Sequence, residues 1–345
     1  MPKFKKVVLY TLALLVFTAA IVVYRQYTGS KESGNLSVED AVRSGIDTLS
    51  LEYLRSQDYP GSEIIIEDVL SSEENYNRYI ASYHSQGLKI YALLLVPNGQ
   101  KPQGGFPVII LNHGYIIPDR YTPDGNYIPY ADAFADAGYI VFKPNYRGHG
   151  DSEGKPTSAY FAPDYLIDDL NAISSIKKYE SANPKKIGVW GHSMGGNITF
   201  KDVVVDKGDI KAAVIWSGVT APISEIIYNW QGRVSYKPDA LDLKLRYQNL
   251  EFLIDVYGSP SENPKFWNSI DPNNYLEYVN VPIQIHVGLS DTQVPPDFSK
   301  GLYERLKKVG KEVEYFEYEG ANHDINQSFQ SAMKETIDFF DRYLK

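Results

Sequence analysis

The 345-residue chain is 43% hydrophobic and 22% charged, which supports a folded core and excludes disorder as the default state. Its formal net charge of −9 excludes a basic nucleic-acid-binding face, because neutralising phosphates requires clustered Lys and Arg. With no cysteine there is no disulfide, thiol nucleophile or thiolate metal site, although the compartment stays open.

In chain order, Lys3, Lys5 and Lys6 precede an uncharged run from Val7 to Tyr24 that closes at Arg25. Eighteen residues at about 1.5 Å each make a helix of roughly 27 Å, close to the hydrocarbon thickness of a bilayer. Residues 1–25 are therefore expected to be a single-pass anchor. The lysines favour a cytoplasmic N-terminus, which leaves the rest of the chain extracytoplasmic. The alternative is a signal peptide cleaved near Thr18-Ala19-Ala20, followed by secretion. Residues 26–60 read as a polar linker and a short helical lead-in, with Ser37 capping a first turn that contains Glu39 and Asp40. The remaining unit is expected over residues 61–345.

From Glu63, three strand-like runs, "EIIIEDV", "NRYIASYH" and "LKIYALLLVP", are separated by polar turns. After Pro107, apolar strands alternate with helical stretches up to a last helix near the C-terminus. The pattern predicts an α/β fold: a mostly parallel sheet with helices on both faces and the first strands as its antiparallel edge. About sixty residues between Gly218 and Val281 lack a clear strand but contain Tyr228, Trp230, Tyr236, Tyr247, Phe252, Tyr257, Phe266 and Trp267. That length predicts an inserted helical cap over about 219–280, with an appendage on the sheet edge as the alternative.

"KKIGVWGHSMGGNITF" places Ser193 between Gly191 and Gly195, after a strand and before a helix. A G-x-S-x-G sequence in that setting predicts a turn sharp enough to expose the serine, with helix N-terminal amides facing the reacting oxygen. A serine needs a base, and the base needs an orienting acid. His323, in "YEGANHDIN" after the last strand, is the expected base. Asp291, directly after "IQIHVG", is the expected acid, whereas Asp324 is too close in sequence to be aimed at the imidazole. His84 and His286 fall within strands and read as structural; His192 is expected to point away from the nucleophile. The oxyanion donors are expected to be the backbone N–H groups of Met194 and Tyr115. Arg147, His149, Asp151 and Glu153 in "RGHGDSEG" could suggest a metal or acid–base site. Their alternating glycines favour instead a tight loop held by an Arg–Asp pair.

"LNHGY", "NYRGHGDSEG", "GHSMGG", "HVGLSDTQVP" and "GANHDI" together resemble the catalytic domain of the prolyl oligopeptidase family, especially its acylaminoacyl-peptidase-like and esterase members, within the α/β-hydrolase superfamily. The resemblance runs from about Leu88 to Lys345. It implies the α/β-hydrolase fold and a Ser193–Asp291–His323 triad. Two departures stand out. The family's peptidases carry a β-propeller for which the chain has no room, and His113-Gly114-Tyr115 replaces a frequent His-Gly-Gly. The expected activity is therefore serine hydrolysis through an acyl-enzyme, of carboxylic esters before short peptides, with no metal or organic cofactor. A non-catalytic binding domain on the same fold is the rival from another class.

Overall fold

The structure, a computed structural model, describes residues 48–345, so the Val7–Tyr24 run lies outside the described residues. Among the described residues no helix is long and apolar enough to cross a membrane. A short helix, α1 (Leu51–Ser56), opens on Ser50, whose hydroxyl accepts from the Tyr53 amide at 3.2 Å and satisfies one donor of the first turn. β1 (Ile65–Val69), β2 (Tyr76–Ser85) and β3 (Leu88–Pro97) follow as an antiparallel meander.

The alternating part then runs β4 (Phe106–Asn112), α2 (Ile128–Asp136), β5 (Ile140–Pro144), α3 (Asp164–Ile176), β6 (Ala182–His192), α4 (Met194–Val205) and β7 (Ile210–Trp216). Four short helices occupy the next stretch: α5 (Ile223–Tyr228), α6 (Ala240–Arg246), α7 (Leu250–Tyr257) and α8 (Pro264–Ser269). The chain closes with β8 (Ile283–Gly288), α9 (Pro296–Lys308), β9 (Val313–Tyr318) and α10 (Phe329–Leu344).

The nine strands form one sheet in the order β1-β2-β3-β5-β4-β6-β7-β8-β9. Pairing is antiparallel as far as β3–β5 and parallel from β5–β4 onward. This is the α/β-hydrolase fold. Along β4, Val108 and Ile110 join the cluster on one face with Phe200 and Ile215, while Ile109 and Leu111 join that on the other with Trp190 and Phe340. Both faces are covered, so the period-two alternation of a half-exposed strand is replaced by a continuous apolar run. Each such side chain contributes about 1.5–3 kcal/mol by leaving water.

After β4 the chain steps to β5 on one side, then returns to place β6 on the other. The crevice beyond the carboxyl ends of β4 and β6 is the place where an open α/β sheet receives ligands. It is bounded by the Asn112–Tyr115 segment and by Ser193. The helices between β7 and β8 pack there rather than hanging free: Trp230, Leu253, Phe266 and Trp267 share a buried cluster with Tyr160, Phe161, Met194 and Phe298.

Candidate active site

Ser193 sits between β6 and α4 with φ 57° and ψ −118°, a conformation that non-glycine residues avoid. The turn is held from both sides. The Ser193 amide donates to the Trp216 carbonyl at 2.9 Å, and its carbonyl accepts from Gly196 at 3.0 Å and Val219 at 3.2 Å. A Cβ on Gly195 would collide with the Asn112 carbonyl, and one on Gly191 with Gly195 and Thr199. Close approach of backbones therefore explains both glycines. The geometry presents Ser193 at the head of α4, where the Met194 amide, as the first helical N–H, has no intrahelical acceptor.

His323 lies in the loop between β9 and α10. Its Nδ1 is 2.7 Å from Asp291 Oδ2, and the Asp291 side chain is fully buried. The other oxygen of Asp291 accepts from the amides of Gln293 at 2.7 Å and Val294 at 3.0 Å, so the carboxylate cannot rotate without losing two bonds. The loops that carry His323 and Asp291 are joined directly, Ser290 N–H donating to the Ala321 carbonyl at 2.9 Å. Gly288 at the end of β8 permits this approach, because a Cβ there would meet the carbonyls of Ala321 and Asn322. Ile325, two residues after His323, has φ 56°, costly for a β-branched residue, and is fully buried. Core packing holds the loop in that conformation.

Ser193, Met194, His323 and Tyr115 line one cavity of about 420 Å³, together with Tyr127, His192, Trp230 and Arg246. The predicted site residues are thus brought to one place from four segments of chain.

His192 does more than the sequence reading allowed. Its ring centroid is 4.6 Å from that of His323, its Nε2 is 3.1 Å from the His323 carbonyl, and its Nδ1 is 2.7 Å from Tyr127 Oη. Burial, with His323 adjacent, pulls its pKa down to about 4, so the ring is neutral near pH 7. A carbonyl only accepts, so Nε2 carries the proton and Nδ1 is the acceptor. Tyr127 therefore donates to His192, and Tyr127 Oη in turn accepts from the Gly114 amide at 2.8 Å. One directed chain, Gly114 N–H to Tyr127 to His192 to the His323 carbonyl, links the loop after β4 to the loop that carries His323. Tyr127 occupies φ 61° at the start of α2. No motif marked it, since a tyrosine before a helix carries no sequence signal.

Behind the serine lies a second group the sequence did not reveal. Asn112 Nδ2 is 3.1 Å from each of Asp169 Oδ2, Thr199 Oγ1 and Asp202 Oδ2, all four residues being fully buried. The two N–H protons are shared among three acceptors, and the buried Asp169 and Asp202 carboxyls bear on each other, which favours a proton held between them. Burial raises the Asp169 pKa to about 6, and burial with Asp169 alongside raises that of Asp202 well above the usual carboxylate range.

The "RGHGDSEG" loop is structural, but its arginine does not pair within the loop. Arg147 bonds Asp168 through Nη2 at 2.7 Å and Nε at 2.9 Å, and Asp164 through Nη1 at 2.7 Å, both on α3, while Asp151 is exposed. His149 is buried and held near pKa 4 by burial, and the Glu153 carboxylate accepts from the Lys89 amide at 2.8 Å. His286 is buried between Tyr318 and Gln284, whereas His84 is exposed on β2. Among the described residues no group of three or more His, Asp or Glu is placed to hold a metal ion.

Fold and site together define an α/β-hydrolase serine hydrolase. The prolyl oligopeptidase family of S9 peptidases is matched over residues 129–345, well over half of the chain, and the chain belongs to that family. Ser193, Asp291 and His323 fall inside the matched segment, while Tyr115 precedes it. The uncharacterized peptidase YtmA of Bacillus subtilis (strain 168) is 25% identical over 256 residues, covering 73% of this chain and 88% of the relative. Among solved structures, an acetyl xylan esterase from Paenibacillus sp. R4 is similar at TM-score 0.62 and 17% identity, over 85% of this chain and 92% of that one. The acylaminoacyl peptidase of Pyrococcus horikoshii is similar at TM-score 0.59 and 22% identity, over 79% of this chain but only 42% of its own.

Proposed function

We propose that the chain is a carboxylic ester hydrolase that works through an acyl-enzyme at Ser193. The observation that carries this reading is His323, 2.7 Å from the buried Asp291 and lining the same cavity as a serine strained at a helix N-terminus. His323 Nε2 takes the Ser193 proton as Oγ attacks the substrate carbonyl, and Asp291 holds the imidazole tautomer and stabilises the imidazolium. The Met194 and Tyr115 amides receive the oxyanion. His323 then protonates the departing alcohol, and a water activated by the same imidazole releases the acid. The hydrolase domain is taken as residues 61–345, with 219–280 as its cap.

The ester reading is supported by the likeness to an esterase over nearly its whole length, while the uncharacterized peptidase YtmA is likewise covered to 88%. The acylaminoacyl peptidase has more than half of its own chain outside the alignment. A short-peptide hydrolase is the second reading, favoured by family membership. Ser193→Ala should abolish both 4-nitrophenyl butyrate hydrolysis and fluorophosphonate labelling; equal labelling of the mutant would remove Ser193 from the mechanism. Wild type should turn over acyl esters faster than aminoacyl or acyl-peptide anilides, and the reverse order selects the peptidase.

Location is a further part of the proposal. The uncharged Val7–Tyr24 run after three lysines supports a membrane anchor with the catalytic domain on the extracytoplasmic side.

A further inference from the structure

The cavity that contains Ser193 also contains a positive charge for which acyl transfer has no use. Arg246 ends α6, and its guanidinium carbon lies 3.9 Å from the centroid of the Trp230 ring. Trp230 is fixed in turn, its indole N–H donating to the Gln293 carbonyl at 2.8 Å, and the Arg246 carbonyl accepts from the Ser158 hydroxyl at 2.6 Å. Ring and backbone thus hold the side chain in place. Its Nη1 is nevertheless buried with no hydrogen-bond partner, and Arg246 makes no ion pair among the described residues.

Among the described residues no carboxylate forms an ion pair with this guanidinium. Asp242, one turn earlier on α6 and lining the same cavity, makes no ion pair with Arg246, and its Oδ1 is buried without a hydrogen-bond partner. Its Oδ2 accepts from the Tyr236 hydroxyl at 3.2 Å, and the Tyr115 hydroxyl beside it is pushed up by burial and by that carboxylate. Arg120, exposed on the cavity lining, also makes no ion pair among the described residues. Arg246 is half-buried, and its one buried, unmet donor gains a partner when the bound state supplies an anionic acceptor. The planar fork of arginine is matched to a carboxylate.

We propose that Arg246 is a specificity-determining residue that binds a carboxylate on the substrate, so that the preferred esters are acidic ones. This rests on the Ser193 hydrolase reading and narrows it. The test compares kcat/KM within two matched pairs. The anion lies in the acyl arm for 4-nitrophenyl hydrogen adipate against 4-nitrophenyl hexanoate, and in the leaving arm for 4-carboxyphenyl against 4-carbamoylphenyl hexanoate. Wild type should favour the charged member of at least one pair by about tenfold or more. Arg246→Met should bring that ratio below about threefold, with Arg246→Lys between the two. Ratios near one in wild type, or a preference that survives in Arg246→Met, overturn the proposal. Should wild type fail to label with fluorophosphonate, the hydrolase reading has failed, and calorimetric titration with adipate still decides the subsite. Binding to wild type that weakens about tenfold in Arg246→Met supports it; absent or equal binding overturns it.

Discussion

Tyr127 shows how much of the site's placement depends on a residue outside the serine, histidine and aspartate set. Its hydroxyl oxygen receives the Gly114 amide at 2.8 Å, and its proton goes to His192 Nδ1 at 2.7 Å. Removing that oxygen leaves a buried amide without an acceptor, at a cost of about 1–3 kcal/mol, and releases the His192 ring that bears on the His323 carbonyl. Tyr127→Phe should therefore lower kcat about 10- to 100-fold, because small misplacements of reacting groups act at that scale. KM for 4-nitrophenyl butyrate should change much less. A fall in thermal stability with kcat intact would reduce Tyr127 to a packing residue. The proposed triad was legible in the sequence, since the candidate serine, acid and base each follow a strand in hydrolase order. Tyr127 was not, because its role arises only where α2 begins beside the end of β6.

At the scale of elements, the Asn112–Asp169–Asp202 group ties the end of β4 to α3 and α4, and so ties the segment leading to Tyr115 to the helix that starts at Ser193. Both carboxyls titrate higher in the folded protein than in the unfolded chain. The folded state therefore binds more protons between the unfolded value of about 3.9 and the folded values. By linkage, the stability this group contributes is complete below about pH 4 and is lost as pH rises through about 6 and beyond. The charges facing the pair are Asp168 and Asp206, which favour keeping the proton, and Lys201, whose buried ammonium donates to the Ala159 carbonyl at 2.7 Å. Asp202→Asn supplies the donor permanently. Its Tm relative to wild type should be more favourable at pH 8 than at pH 5, and a pH-independent difference would mean that no proton is held there. Strand periodicity identified the elements but could not show which polar side chains meet behind the sheet. The Arg147 loop teaches the same lesson: the glycines marked a turn, yet its ion-pair partners came from α3, 17 and 21 residues away.

For the whole molecule, the proposed anchor and the hydrolase domain make separable claims. A chain lacking residues 1–25 should lose membrane association on flotation of cell extracts and keep fluorophosphonate labelling of Ser193. Membrane association equal to that of the full chain would place the attachment elsewhere. The sequence by itself determined the α/β pattern and its antiparallel edge, because fully buried strands must be apolar throughout and helices must alternate with them to cover both faces. It also placed the candidate nucleophile, acid and base at strand ends, because strand-to-helix turns are written locally in glycines and short polar residues. The sheet order, the Tyr127–His192 link, the buried carboxyls behind Asn112 and the unpaired Arg246 in the cavity were decided only by the tertiary structure. Each depends on which distant segments come into contact, and a contact between residues far apart in the chain leaves no mark on the periodicity of either one.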